Sequence, residues 1–140
     1  MISTVAVGTD GSDTAHEAVR QAADLAKHYD AKLVLLSAFG KQNEPTERRG
    51  DVELQWASNS SARLATLLER TEEQLRGQGI SCETLTDQGD AADVLVRLAS
   101  ECGADMLVIG NKGMKRRVLG SVPNSVAHKA DCTVMVVKTS

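Results

Sequence analysis

Val108 to Asn124 reads V-I-G-N-K-G-M-K-R-R-V-L-G-S-V-P-N: an apolar run ending at Gly110, a basic loop punctuated by glycine, and a helix that starts at Ser121. A strand-to-helix turn of this kind aims several backbone N–H groups at one spot, which suits a phosphate. Gly110 and Gly113 permit close backbone approach or a left-handed turn, while Gly120 and Ser121 offer a tight start and a capping hydroxyl. Pro123 falls near the first helical position, where its missing donor does no harm. Glycines with a serine cap also occur in α/β connections that bind nothing. The spacing here is neither G-x-x-x-x-G-K-[ST] nor G-x-G-x-x-G, so the loop alone leaves both readings open.

Upstream of this loop, strand and helix patterns alternate. Thr4 to Gly8 is a short β-branched run of the kind buried on both faces of a parallel sheet. Ala15, Ala18, Val19, Ala22, Leu25, Ala26 and Tyr29 then follow helical spacing, with Ser12 or Thr14 as the N-cap and side chains small enough for the helix to lie close to a sheet. Leu33 to Ala38 is the second strand. Phe39 to Asp51 carries Gly40, Pro45, Gly50 and many charges, and reads as a loop. Leu54, Leu64, Leu67, Leu68, Thr71 and Leu75 mark a long helix to about Arg76, with Gly77 and Gly79 as stop signals.

Ile80 to Thr86 is a more polar strand, suited to a sheet edge. Asp90 opens a helix bearing Ala91, Val94, Leu95, Leu98, Ala99 and Cys102 on one face, and Gly103 follows it. Met106 to Gly110 is the fourth strand, Val122, Val126 and Ala130 define a short helix, and Cys132 to Val137 is the last strand. This β-α-β-α-β-α-β-α-β order, with mostly non-alternating apolar strands, predicts a parallel α/β sheet with helices on both faces. Ligands of such sheets bind outside the strands' carboxyl ends, where strand order reverses.

The 140 residues have the size of a single domain, 1–140. Lys plus Arg number 16 against 19 Asp plus Glu, a net charge of −3, which offers no overall attraction to nucleic acid or an anionic membrane. The lone Trp56, Tyr29 and Phe39 supply no base-stacking platform. No apolar run reaches membrane-spanning length, and the start lacks a secretory leader, so a cytoplasmic location is expected. Cys82, Cys102 and Cys132 fit packed, reduced thiols better than a disulfide or zinc framework.

Asp10 has the clearest chemical role, since a carboxylate at the mouth of the crevice can coordinate Mg²⁺ or accept a ribose hydroxyl; a helix-cap role is the other reading. Lys112, Lys115, Arg116 and Arg117 can neutralise phosphates or face solvent. His16, His28 and His128 fall on separate helices with no partner nucleophile, so no covalent mechanism suggests itself and no enzymatic activity is expected.

Taken together, V-A-V-G-T-D-G-S near the start, G-D-A-A-D-V-L in the third crossover and the glycine loop with its helix resemble the universal stress protein family, over essentially the whole chain. The resemblance implies a five-stranded doubly wound parallel sheet of order 3-2-1-4-5. That sheet is Rossmann-like, of the adenine nucleotide alpha hydrolase-like kind. It further implies homodimers pairing through the last strand and, in one branch, ATP or another adenine nucleotide as ligand. Carried over by position, Thr9 and Asp10 lie by ribose and phosphates, and Ala38 lies near the base. Ile109 and Gly110 meet the nucleotide at the fourth strand's end. Lys112, Gly113, Arg116, Arg117, Gly120, Ser121 and Val122 surround the phosphates. The segment between Gly113 and Gly120, Met114 to Leu119, is shorter than that branch's pattern. A stress-response sensor or regulator is the function implied. The alternatives are a dimeric interaction module that binds no nucleotide and a phosphorylation-operated receiver using Asp10, Asp87 and Lys138.

Overall fold

Aliphatic runs flanked by helices leave the chain few options, because each strand must bury two faces. The computed structural model describes residues 1–10, 13–40, 50–111 and 120–138. Its elements, in chain order, are β1 (Thr4–Gly8), α1 (Asp13–Tyr29), β2 (Lys32–Phe39), α2 (Gly50–Gly77), β3 (Cys82–Gln88), α3 (Ala91–Glu101), β4 (Met106–Asn111), α4 (Ser121–Lys129) and β5 (Thr133–Lys138). All pairings are parallel and the sheet order is β3-β2-β1-β4-β5. This is the doubly wound order the resemblance implied.

Alternation along the strands divides the core in two. Val5, Val7, Leu33, Leu35 and Val108 pack against Ala18, Val19, Ala22, Ala23 and Ala26 of α1 and Leu68 and Leu75 of α2. Ala6, Val34, Leu36, Leu107 and Ile109 face α3 and α4, meeting Val94, Leu95, Leu98 and Val126. Each fully buried leucine contributes about 1.5–3 kcal/mol relative to exposure. That outweighs exposed ion pairs such as Lys32–Glu83, 2.9 Å apart at the sheet's rim. Burial also pushes the Cys82 thiol up to about 11, so it packs as a small apolar group.

Several boundaries differ from the sequence pattern. Ile80 lies outside β3: its N–H donates to the Leu75 carbonyl at 3.1 Å while its side chain is buried, so it closes the end of α2. The left-handed residue there is Gly79 (φ 85°), whereas Gly77 belongs to the last helical turn. Gly50 and Asp51 are helical, and Phe39 is the last residue of β2. Thr14 lies within α1 and does not cap it, and Ser12 is outside the described residues. Tyr29 ends α1 exposed, edge-on to the His28 ring, and Leu67 is also exposed. Among the described residues no helix is long and apolar enough to cross a membrane.

The alanine stripe sets how closely α1 approaches β1. Ala22→Leu should therefore overpack a site with no free surface and destabilise the fold by about 1–3 kcal/mol. Urea denaturation reads this directly, and an unchanged midpoint would mean that α1 stands off from the sheet.

Candidate functional site

β1 and β4 are hydrogen-bonded neighbours, but the segments that follow them part. One leads to α1 on the first face and the other to α4 on the second. The gap between them at the strands' carboxyl ends is a cavity of about 330 Å³. Its apolar wall is built from Ala15, Ala38, Ala91, Leu95 and Ile109, and its rim from Thr9, Asp10, Gly110, Asn111, Gly120, Ser121 and Val122. Gly8 lies at its base, where a side chain would be crowded. A Cβ there would sit 3.0 Å from Leu95 Cδ1 and 3.4 Å from Ile109 Cγ2.

Both sides of the rim are tied to the sheet. The Thr9 N–H donates to the Leu36 carbonyl at 2.9 Å, and the Ser37 hydroxyl donates to the Thr9 carbonyl at 2.7 Å. Across the cavity, the Gly120 N–H donates to Asn111 Oδ1 at 2.8 Å. Gly120 is the N-cap of α4 in extended backbone (φ −63°, ψ 169°) and, lacking a side chain, makes no capping bond of its own. Ser121 is thus the first helical residue, contrary to the capping role its hydroxyl suggested. With the Gly120 N–H bonded to Asn111 and no N–H on Pro123, the first-turn donors with no partner among the described residues are Ser121 and Val122. The positive end of the helix dipole points the same way. α3 differs, since the Asp90 carboxylate accepts the Asp93 N–H at 3.1 Å and caps its own helix.

Of the residues singled out in the sequence, Thr9, Asp10, Ala38, Ile109, Gly110, Gly120, Ser121 and Val122 are gathered at this cavity. Lys112, Gly113, Lys115, Arg116 and Arg117 lie outside the described residues. Ala15, Ala91 and Leu95 had been read only as core-facing helix positions, and Gly8 only as a strand end. Asn111 escaped notice altogether, although a carboxamide directly after an apolar run is a visible signal. Asp10 is exposed at the rim. Among the described residues no cluster of three or more His, Cys, Asp or Glu could hold a metal. The histidines are exposed. Asp87 lies on β3, separated from β1 by β2, and a hydrogen bond from Arg97 holds its carboxyl below the usual range. This counts against a receiver, whose acidic residues would share one pocket.

The universal stress protein family model matches residues 1–138. The chain belongs to the universal stress protein family. It is 38% identical to a universal stress protein of Mycobacterium tuberculosis, over 98% of this chain and 97% of that one. Its structure superposes with a TM-score of 0.77 on the crystal structure of a universal stress protein in complex with cAMP, 36% identical and covered to 99% in both chains. A family member from Lactobacillus plantarum shares the fold at a TM-score of 0.80 and 20% identity, over 97% of each chain.

Gly8→Val tests how the cavity base is built. The added side chain must displace Leu95, so the variant should lose about 1–3 kcal/mol in urea denaturation. Wild-type stability would show that α3 yields without cost.

Proposed function

We propose that this cavity binds an adenine nucleotide and that the protein acts as a stress-response sensor or regulator, holding the nucleotide rather than turning it over. The observation that carries the reading is one cavity with an apolar wall on one side and a helix N-terminus that starts at a glycine on the other. An adenine ring suits the first and a phosphate the second. Likeness supports this, because the relative in complex with cAMP is 36% identical over 99% of both chains. In this reading Ala38 and Ile109 face the base, and Thr9 and Asp10 the ribose. Gly110, Gly120, Ser121 and Val122 meet the phosphate. Likeness to the relative in complex with cAMP makes cAMP or AMP the favoured ligand, and ATP with Mg²⁺ the competing one.

Calorimetric titration of cAMP, AMP, ADP, ATP with Mg²⁺, and adenosine separates these. Binding of cAMP or AMP that weakens strongly in adenosine is expected, together with loss on Asp10→Ala. Absence of binding by all five at millimolar concentration would leave a dimeric interaction module as the better reading.

The last strand motivates the second part of the proposal, a homodimer. Val134, Met135 and Val136 are only half-buried on the outermost strand β5, whereas the opposite edge, β3, carries Glu83, Thr84 and Asp87. An apolar edge left bare invites pairing. Light scattering should give a dimer mass for wild type and a lower one for Val136→Lys; a wild-type monomer at micromolar concentration contradicts the pairing.

A further inference from the structure

Among the described residues, the polar side chains with no exposed surface are Ser37 and Asn111. Both occupy positions where the strand pattern calls for an aliphatic residue. Ser37 continues the Leu33, Leu35 series toward α1 and α2, and Asn111 continues the Leu107, Ile109 series toward α3 and α4. Burying a hydroxyl or carboxamide is unfavourable unless it is hydrogen-bonded, so core packing alone does not account for either. What they share is the type of partner. Ser37 donates to the backbone carbonyl of Thr9 and Asn111 accepts from the backbone N–H of Gly120, and both partners line the cavity.

We propose that Ser37 and Asn111 are positioning residues that fix the two sides of the cavity, each acting through the backbone it holds. Thr9 is the first residue beyond β1, and its N–H still bonds to Leu36. The Ser37 hydroxyl adds a second tether there and so sets where Asp10 stands. On the far side, Asn111 ends β4 and accepts the Gly120 N–H at the start of α4, fixing Ser121 and Val122 relative to the sheet. Gly120 is fitted to this contact. Its φ is open to any residue, but a Cβ would lie 3.1 Å from Asn111 Oδ1, so the carboxamide and the glycine are a matched pair. A site held this way needs little rearrangement to bind, which favours affinity.

The affinity part of this inference rests on the nucleotide reading, whereas the part concerning Gly120 does not. The experiment uses Asn111→Ala, Gly120→Ala, their double variant, Ser37→Ala and Ser37→Thr. Amide hydrogen exchange is followed by NMR, and binding of cAMP and AMP by calorimetry. In Asn111→Ala, exchange at Gly120 should accelerate far more than at Leu107 or Val108 in the core of β4. Affinity should fall roughly tenfold in Asn111→Ala and in Ser37→Ala, as for one lost hydrogen bond, with recovery in Ser37→Thr. Gly120→Ala should weaken binding as well, because its Cβ crowds Asn111 Oδ1, and the double variant should lose less than the sum of the two, because the crowded atom is gone. Gly120→Ala also serves if Asn111→Ala fails to fold. Unchanged Gly120 exchange in Asn111→Ala, additive losses in the double variant, or full affinity in Ser37→Ala would overturn the proposal. If wild type binds neither nucleotide, the functional reading fails, and Gly120 exchange alone decides the role of Asn111.

Discussion

β1 pairs with β4 along Val5–Met106, Ala6–Leu107 and Val7–Val108, although two other strands and three helices intervene in the chain. With aliphatic side chains on both faces, this central pair forces helices to cover the sheet above and below. Because chain order reverses between these two strands, the connections leaving their carboxyl ends diverge, and a gap opens there. The opposite pole of the same pair is closed. Asp105 accepts the Ser3 and Thr4 N–H groups at 2.8 and 3.0 Å, and its own N–H donates to the Thr4 carbonyl at 2.9 Å. Those bonds, with the Ser3 hydroxyl, hold its carboxyl below the usual range and tie the start of β1 to the start of β4.

Small residues govern how deep the gap becomes. Alanines on α1 let that helix sit close to β1, and Gly8 lets Leu95 of α3 press in from the other face. Neither Gly8 nor Gly120 is demanded by a left-handed backbone. At each, a neighbouring side chain leaves little room for a Cβ, Leu95 at Gly8 and Asn111 at Gly120. By contrast, Gly79 and Gly103 have positive φ and serve the ends of helices.

The fold was legible because its strands are continuous β-branched or aliphatic runs separated by clear helical stripes, a pattern with few solutions. Ile80 misled because an apolar residue after two glycines looks the same whether it opens a strand or closes a helix. The tertiary contact with α2 decided it. At the site, Thr9, Asp10, Gly120 and Ser121 stood out as turn chemistry next to strand ends. Ser37 and Asn111 were harder to see, since their role lies in a hydrogen bond whose partner is backbone and therefore invisible in residue type. Nor could Ser121's position inside the helix be separated from a cap by sequence, because Gly and Ser are both good N-caps.

The claim on which this account turns is that the gap between β1 and β4 receives the nucleotide. Its most direct test is the ¹H–¹⁵N spectrum of the protein titrated with cAMP. The account predicts the largest shifts at Ser121, Val122 and Gly110 on the α4 side and at Thr9 and Asp10 on the other, with β3 and β5 nearly unmoved. Shifts centred on β3 or β5, or none at saturating ligand, would contradict it.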